Sequence, residues 1–261
     1  MDLYREYAPP PGLEAHVACV WTSHDGEVNV LPDACADIVF ESGRLVVAGP
    51  ATAAKLAAAT PGRPRCGVRF RTGSAGAALG VPADVLRDHG PALGELWGTD
   101  ARRLEDRVAA APTIEAAAAA LLRGIAGRLP GPRDGDPLVR AIVRAQPQGV
   151  RPLHVRAREV GLSERQLRRR FERAVGYGPA TLLRIQRFQR FLAIAHAAPP
   201  GTSLARLAAD AGYADQAHLA REARRLSGLT PTQLLARGAA PTGETSEPFK
   251  PAGAPPGTLA A

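Results

Sequence analysis

The chain has 261 residues, 45% of them hydrophobic, which is enough for two domains with cores of their own. No run of about eighteen apolar residues occurs, so no transmembrane helix is expected, and MDLYREYAPPPG lacks an apolar signal-peptide core, making the cytoplasm the expected location. The three cysteines, Cys19, Cys35 and Cys66, are widely spaced and odd in number, which argues against a disulfide framework and against a zinc motif.

The net charge of +8 is unevenly placed: residues 138–238 hold 18 Arg against 6 acidic residues, a net +12, while residues 1–137 hold 14 basic and 17 acidic residues, a net −3. A basic surplus confined to one part of the chain is the electrostatic footprint of a phosphate-binding module.

Residues 1–70 read as strands. His16–Thr22 alternates Val17, Cys19 and Trp21 with Ala18, Val20 and Thr22, and because both sets are fairly apolar the strand is expected to be covered on both faces. Further strands are predicted at Glu27–Leu31, Asp37–Phe40, Leu45–Ala48 and Gly67–Phe70, separated by Gly, Pro, Asp or Ser. Short helices are predicted at Ser74–Gly80, from Val81-Pro82-Ala83-Asp84 onward, and at Asp100–Ala111. Residues 1–111 thus form a small, mostly antiparallel β domain with helices following it.

Chemistry is sparse in this part. A metal needs several ligands within about 2 Å, whereas His16, His24 and His89 are isolated, so neither a metal site nor a cofactor is expected. Asp33 and Asp37 have no matching base or nucleophile and fit a turn and a strand edge. Arg69 and Arg71 share one strand face, where they are candidates for binding an anionic effector; the competing reading is an exposed basic face paired with nearby acids. Trp21 and Trp97 fit core positions.

Thr113–Leu129 is an Ala-rich helix with Ile114, Ala118, Leu121, Leu122 and Ile125 on one side, suited to self-association or to packing on its own domain. PGPRDGDP, at 130–137, completes a helix-and-linker segment over 112–137, and the Pro- and Gly-rich residues 239–261 are expected to be a disordered tail.

Helix signals recur in a fixed order between these two segments. In Ser203–Leu235, Leu204, Leu207, Ala208 and Ala211 fall on one helical face, with Ser203 placed as N-cap and Gly212 as terminator. Asp215 is placed to cap a second helix carrying Leu219, Ala223 and Leu226; Gly228 closes it and Pro231 opens a short last one. Upstream, His154–Val160, the turn Gly161-Leu162-Ser163 and the helix Glu164–Val175 repeat the pattern, with Leu167 and Phe171 facing inward. Thr181–Ala198 joins the two units as a long helix with Leu182, Ile185, Gln189 and Leu192 near one face. Helix, glycine-centred turn, helix is the arrangement that sets a second helix into a DNA major groove, although an ordinary αα-hairpin has the same spacing.

The stretches GLSERQLRRRFERAVGYGPATLLRIQR and LAADAGYADQAHLAREARRLSGLTPTQLL resemble the DNA-binding domain of the AraC/XylS family of bacterial transcription regulators, over residues 138–238. The family usually has aromatic residues where this chain has Leu219 and Ala223, which implies a smaller core in the second unit. LPDACADIVF and GVRFRTGSAGAALGVP resemble an amino-terminal domain found ahead of this module in some members.

The implied fold class is α+β, a small β domain followed by an all-α double helix-turn-helix domain. The implied function is a sequence-specific transcription regulator without enzymatic activity. Its two recognition helices would enter adjacent major grooves about one DNA turn, ~34 Å, apart. Position in the family implies base reading by Arg165, Arg168 and Arg169, and by Gln216, His218, Ala220 and Arg221. Arginine suits guanine O6 and N7, and glutamine suits adenine N6 and N7. Ser163, Thr181 and Thr202 lie near helix starts, where they bind phosphate or merely cap, and Arg170 and Arg173 fit phosphate contact. A wheel advancing about 100° per residue favours Arg165 as a reader, while for Arg169 the wheel and the family position disagree.

The implied partner is double-stranded DNA, at the nucleoid and away from membranes. RNA polymerase, a small-molecule effector and a second copy of the chain are further candidate partners. Two rival readings share the basic helical domain. A DNA methylphosphotriester repair protein of the Ada type needs four clustered thiolates, which three scattered cysteines do not supply. An architectural DNA binder would carry the same charge without sequence preference.

Overall fold

The computed structural model describes residues 4–24, 28–57, 64–129, 136–145, 153–238 and 247–248. Eight strands are present among them: β1 (Tyr4–Ala8), β2 (Val17–Ser23), β3 (Val28–Val30), β4 (Ala36–Glu41), β5 (Arg44–Ala48), β6 (Lys55–Ala57), β7 (Arg65–Phe70) and β8 (Glu247–Pro248). The main sheet runs β5-β4-β7-β2-β1-β8, and β3 pairs with β6 separately. All pairings are antiparallel except the short one between β1 and β8. The two residues between β4 and β5, Ser42 and Gly43, both have positive φ (49° and 79°), the geometry that matches a two-residue hairpin to strand twist.

The two faces of the sheet bury different chemistry. Val17, Val20, Ile38, Leu45, Val47, Cys66, Val68 and Phe70 pack beneath the helices α1 (Ala75–Leu79), α2 (Leu93–Trp97), α3 (Thr99–Ala109) and α4 (Ile114–Ala126). Cys19, Trp21 and Val39 form a smaller cluster of their own. Simple alternation along β2 would put Val17 with Cys19 and Trp21. A register shift between Val17 and Cys19 sends Val17 instead to the helix-covered side, as a bulge does. The Ala-rich helix spends its apolar side on its own domain: Ile114, Ala117, Ala118, Leu121, Leu122 and Ile125 all join the core under the sheet.

The elements differ from expectation in several places. β1, β6 and α2 were not predicted, being short or weakly alternating. No helix starts at Val81; residues 83–88 form turns that end at Asp88, whose φ is +60°. Of the expected linker only Asp136 and Pro137 are described, and of the expected tail only Glu247 and Pro248, which pair with β1; the remainder of both lies outside the described residues.

The C-terminal part is all helical: α5 (Pro137–Ala145), α6 (Leu153–Glu159), α7 (Glu164–Val175), α8 (Pro179–Ala197), α9 (Leu204–Ala211), α10 (Gln216–Ser227) and α11 (Pro231–Ala236). Its core gathers Leu167, Phe171, Leu182, Ile185, Phe188, Phe191, Leu192, Leu207, Leu219 and Leu226. Ala34 belongs to that same core and Leu31 packs against it, so the loop before β4 is inserted into the helical domain. Gln189 Nε2 donates to the Pro32 carbonyl at 2.7 Å beside this insertion.

Two backbone bonds complete the docking. Ala83 N–H donates to the Arg173 carbonyl at 2.7 Å, and Ala54 N–H to the Leu226 carbonyl at 2.7 Å. Both acceptors lie in the last turn of a helix, where carbonyls lack intrahelical partners. The β domain therefore holds the C-terminal ends of α7 and α10 together.

Candidate nucleic-acid interface

Three helices of the two units, α7, α9 and α10, are started and stopped by local chemistry. The Ser163 hydroxyl accepts from Gln166 N–H at 3.2 Å while Gln166 Oε1 accepts from Ser163 N–H at 2.9 Å, a reciprocal cap worth about 1 kcal/mol. Gly176 ends α7 at φ 98°. In the second unit Ser203 caps α9, Gly212 stops it at φ 87°, Asp215 Oδ1 accepts from His218 N–H at 2.6 Å, and Gly228 stops α10 at φ 73°. Leu167, Phe171 and Val175 anchor α7 in the core, and Leu219, Ala223 and Leu226 anchor α10. The small pair Leu219 and Ala223 is fully buried, so the reduced core of the second unit still closes.

The opposite surfaces of α7 and α10 are open. Arg165, Arg168 and Arg169 are exposed on α7, as are Gln216 and Arg221 on α10. Arg169 lies two residues from both Leu167 and Phe171, about 200° from each on the helix, so it points directly away from the core. The wheel expectation for Arg169 is corrected accordingly, and wheel and family position agree there. Arg168 pairs with Glu164 at 3.0 Å across one exposed turn, a contact worth a few tenths of a kcal/mol at most. Ala220 is half-buried. His218 is also half-buried: its ring meets Tyr213 edge-on, with centroids 5.2 Å apart. Tyr213 in turn carries Arg187 over its face at 5.4 Å.

The residues expected at phosphates are mostly engaged. Ser163 closes the capping box, Thr202 donates its hydroxyl to the Pro199 carbonyl at 2.7 Å, and Arg170 pairs with Asp136 at 2.8 Å. Thr181 is half-buried in the first turn of α8, and Arg173 is exposed. The Arg170 pairing had no signal in the sequence, because Asp136 lies 34 residues upstream in a segment read as linker.

The expectation that Arg69 and Arg71 share an effector-binding face is corrected by the structure. Arg69 is only 6% exposed, and its guanidinium is surrounded by Glu6 Oε1 at 2.7 Å, Asp37 Oδ1 at 3.2 Å and Asp33 Oδ2 at 3.3 Å. Trp21 Nε1 donates to Asp37 Oδ2 at 2.8 Å. Asp33 keeps its turn role, its Oδ1 accepting from Cys35 N–H at 2.9 Å, while its other oxygen faces the buried cation; Asp37, paired on both sides, is a partner of that cation and not a strand-edge residue. Burial pushes the Asp37 carboxyl up against the pull of Arg69. Arg71 lies beyond the end of β7, exposed, and donates to the Glu14 carbonyl at 2.5 Å. The third acid, Glu6, was missed because β1 itself was not predicted.

Comparison with known proteins bears on both halves. Residues 156–237 match the family model of a helix-turn-helix domain, and residues 5–91 match that of a domain of unknown function (DUF6597). No curated protein matches. Among solved structures the chain is similar to apo ToxT, in a lysine-to-alanine variant, from Vibrio cholerae strain SCE256. The identity is 9% and the TM-score 0.41, over 82% of this chain and 92% of that one. The C-terminal helices form a double helix-turn-helix domain. By the family match, residues 156–237 are a helix-turn-helix domain, which supports DNA binding by this part of the chain. No helix among the described residues is long and apolar enough to cross a membrane.

Proposed function

We propose that the protein reads a specific DNA site with α7 and α10 in adjacent major grooves, under the control of its β domain. The observation that carries this reading is the set of exposed side chains on the two recognition helices. Arg165, Arg169, Gln216 and Arg221 are solvent-exposed on helices anchored in one shared core, and no hydrogen bond or ion pair among the described residues engages them. Unpaired guanidinium groups on a rigid helix are suited to bidentate contact with guanine, and Gln216 to adenine. Arg168 joins them after exchanging Glu164 for a base. His218 and Ala220 lie on the flank of α10, where His218 both orients the turn and faces the groove edge. Arg173 contacts the DNA backbone, as does Arg170 once released from Asp136, with Ser163, Thr181 and Thr202 contributing helix-start contacts.

The units are residues 1–111 as the controlling domain and 138–238 as the DNA-binding domain, with a second copy of the chain and RNA polymerase as further partners. The test is a titration of Arg165→Ala and Arg173→Ala on preferred and random DNA at several salt concentrations. Arg165→Ala should cost roughly 1–3 kcal/mol on the preferred site alone. Arg173→Ala should weaken both DNAs equally and lower the salt slope by about one unit. Equal losses on both DNAs for Arg165→Ala would remove it from the readers.

A further inference from the structure

We infer that the cavity between the β domain and the two recognition units is a binding site for a small organic phosphate, a dianion carried on a compact apolar body. This rests on the regulator reading above for its biological meaning, and on the cavity itself for its chemistry. The cavity has a volume of about 750 Å³, within the ~300–1,000 Å³ range of small-molecule sites. Both domains contribute to its wall. Thr52, Arg87 and Asp88 come from the β domain, Arg168 from α7, Arg184 from α8, and Arg225 from α10.

Its electrostatics select the ligand's charge. Four arginines face two acids, Asp88 and Glu172, across the lining. Asp88 is committed: its Oδ1 accepts from Thr52 N–H at 2.7 Å and its Oδ2 from the Thr52 hydroxyl at 2.8 Å. Arg168 is paired with Glu164, and Arg87 reaches the Gly176 carbonyl at 3.5 Å. Arg184 and Arg225 make no ion pair among the described residues, although Arg184 is half-buried. Two guanidinium groups without carboxylates match a dianion better than a monoanion, since each can give a phosphate two parallel hydrogen bonds.

The rest of the wall selects the ligand's body. Ile142, Leu183, Leu226 and Pro179 supply an apolar surface, which an inorganic ion cannot use. Asp88 also holds a left-handed φ of +60°, a strained state for a non-glycine residue that its two bonds to Thr52 keep in place. The bonds to Thr52, with Asp88 N–H donating to the Pro50 carbonyl at 3.1 Å, hold the Pro50–Ala54 loop whose last amide donates to the Leu226 carbonyl. A ligand filling the cavity therefore bears on the same loop that ties the β domain to α10.

The test uses the full chain and phenyl phosphate as probe, by titration calorimetry without DNA. Saturable one-to-one binding is expected, weakened at least about tenfold by Arg184→Ala and by Arg225→Ala, and unchanged by Arg165→Ala on the DNA-facing surface. Ala53→Phe, which fills the cavity without removing charge, should abolish binding, and each variant's melting curve checks that it folds. Inorganic phosphate and phenylacetate should both bind at least about tenfold more weakly than phenyl phosphate. Absence of saturable binding would overturn the assignment. So would equal loss in Arg165→Ala, which would place the phosphate on the DNA-reading surface, or equal affinity for inorganic phosphate, which would leave the apolar wall without a role. Because no DNA is present, failure here leaves the regulator reading standing, and failure of the DNA titration leaves this result standing.

Discussion

Gly176 stands where α7, its terminating turn and the β domain meet, and replacing it by alanine separates two costs. The first is conformational: φ is +98°, a region in which an L side chain costs about 1–2 kcal/mol. The second is steric, because a Cβ there would lie 2.9 Å from Pro50 Cγ, 3.1 Å from Pro50 Cβ and 3.2 Å from the Ala83 carbonyl oxygen. Contacts that close, two of them with a rigid ring, add roughly 1–3 kcal/mol of overpacking. Gly176→Ala should therefore destabilise the full chain by about 2–5 kcal/mol in urea titrations. Pro50→Gly removes both ring atoms but leaves the φ penalty. In the double variant the steric share should return, as a coupling of about 1–2 kcal/mol in a double-mutant cycle. A coupling indistinguishable from zero would mean that Pro50 does not press on this turn, and the docking of the β domain against α7 would have to be abandoned.

The cysteines give a second expectation: burial raises the thiols of Cys19 and Cys35, and it pushes Cys66 up to about 12, with Glu115 adding to the effect. At pH 8 Cys66 is then thiolate in roughly one molecule in ten thousand, so alkylation should be slow in the native protein and fast in urea; rapid native labelling of Cys66 would contradict its burial. For Asp37 the sign follows from burial raising its pKa in the fold. Its contribution is fully present below about pH 3.9 and lost as pH rises through the raised value, so the advantage of wild type over Asp37→Asn should shrink as pH rises. A gap that widens with pH in urea titrations would mean that Arg69 outweighs burial. At Gly67 a Cβ would lie 2.4 Å from the buried Trp21 ring, so Gly67→Ala should lower the melting temperature by several degrees, and an unchanged melt would place Trp21 elsewhere.

The helical half was legible because its signals are local. Ser163, Ser203 and Asp215 each accept from an amide three residues on, and Gly176, Gly212 and Gly228 stop their helices through their own φ angles. Those devices act within one turn, so their spacing survives in the sequence. The β half was legible only as far as alternation reached. A bulge in β2 reversed Val17, and the ion cluster joins Glu6, Asp33, Asp37 and Arg69 from separate strands and a loop, at separations of up to 63 residues. A lone arginine on a strand reads the same whether it faces water or three carboxylates. Arg170 is the corresponding case in the helical half, since Asp136 reaches it across 34 residues.

The contacts between the β domain and the helical domain left the faintest trace. Ala54 and Ala83 act through backbone amides, so no side chain advertises that they bind the last turns of α10 and α7. Those two bonds, with the Leu31–Ala34 insertion and the Gln189–Pro32 bond, fix the β domain to both helix-turn-helix units at once. Two helices reading one DNA site must keep their separation to within the tolerance of hydrogen bonds, a few tenths of an ångström. A body gripping the C-terminal ends of both can set that separation while leaving Arg165, Arg169 and Arg221 exposed for the proposed DNA contact. On the proposed regulator reading, a molecule that shifts the Pro50–Ala54 loop would move the C-terminal end of α10, and DNA affinity would change without any ligand touching the side chains proposed to read bases.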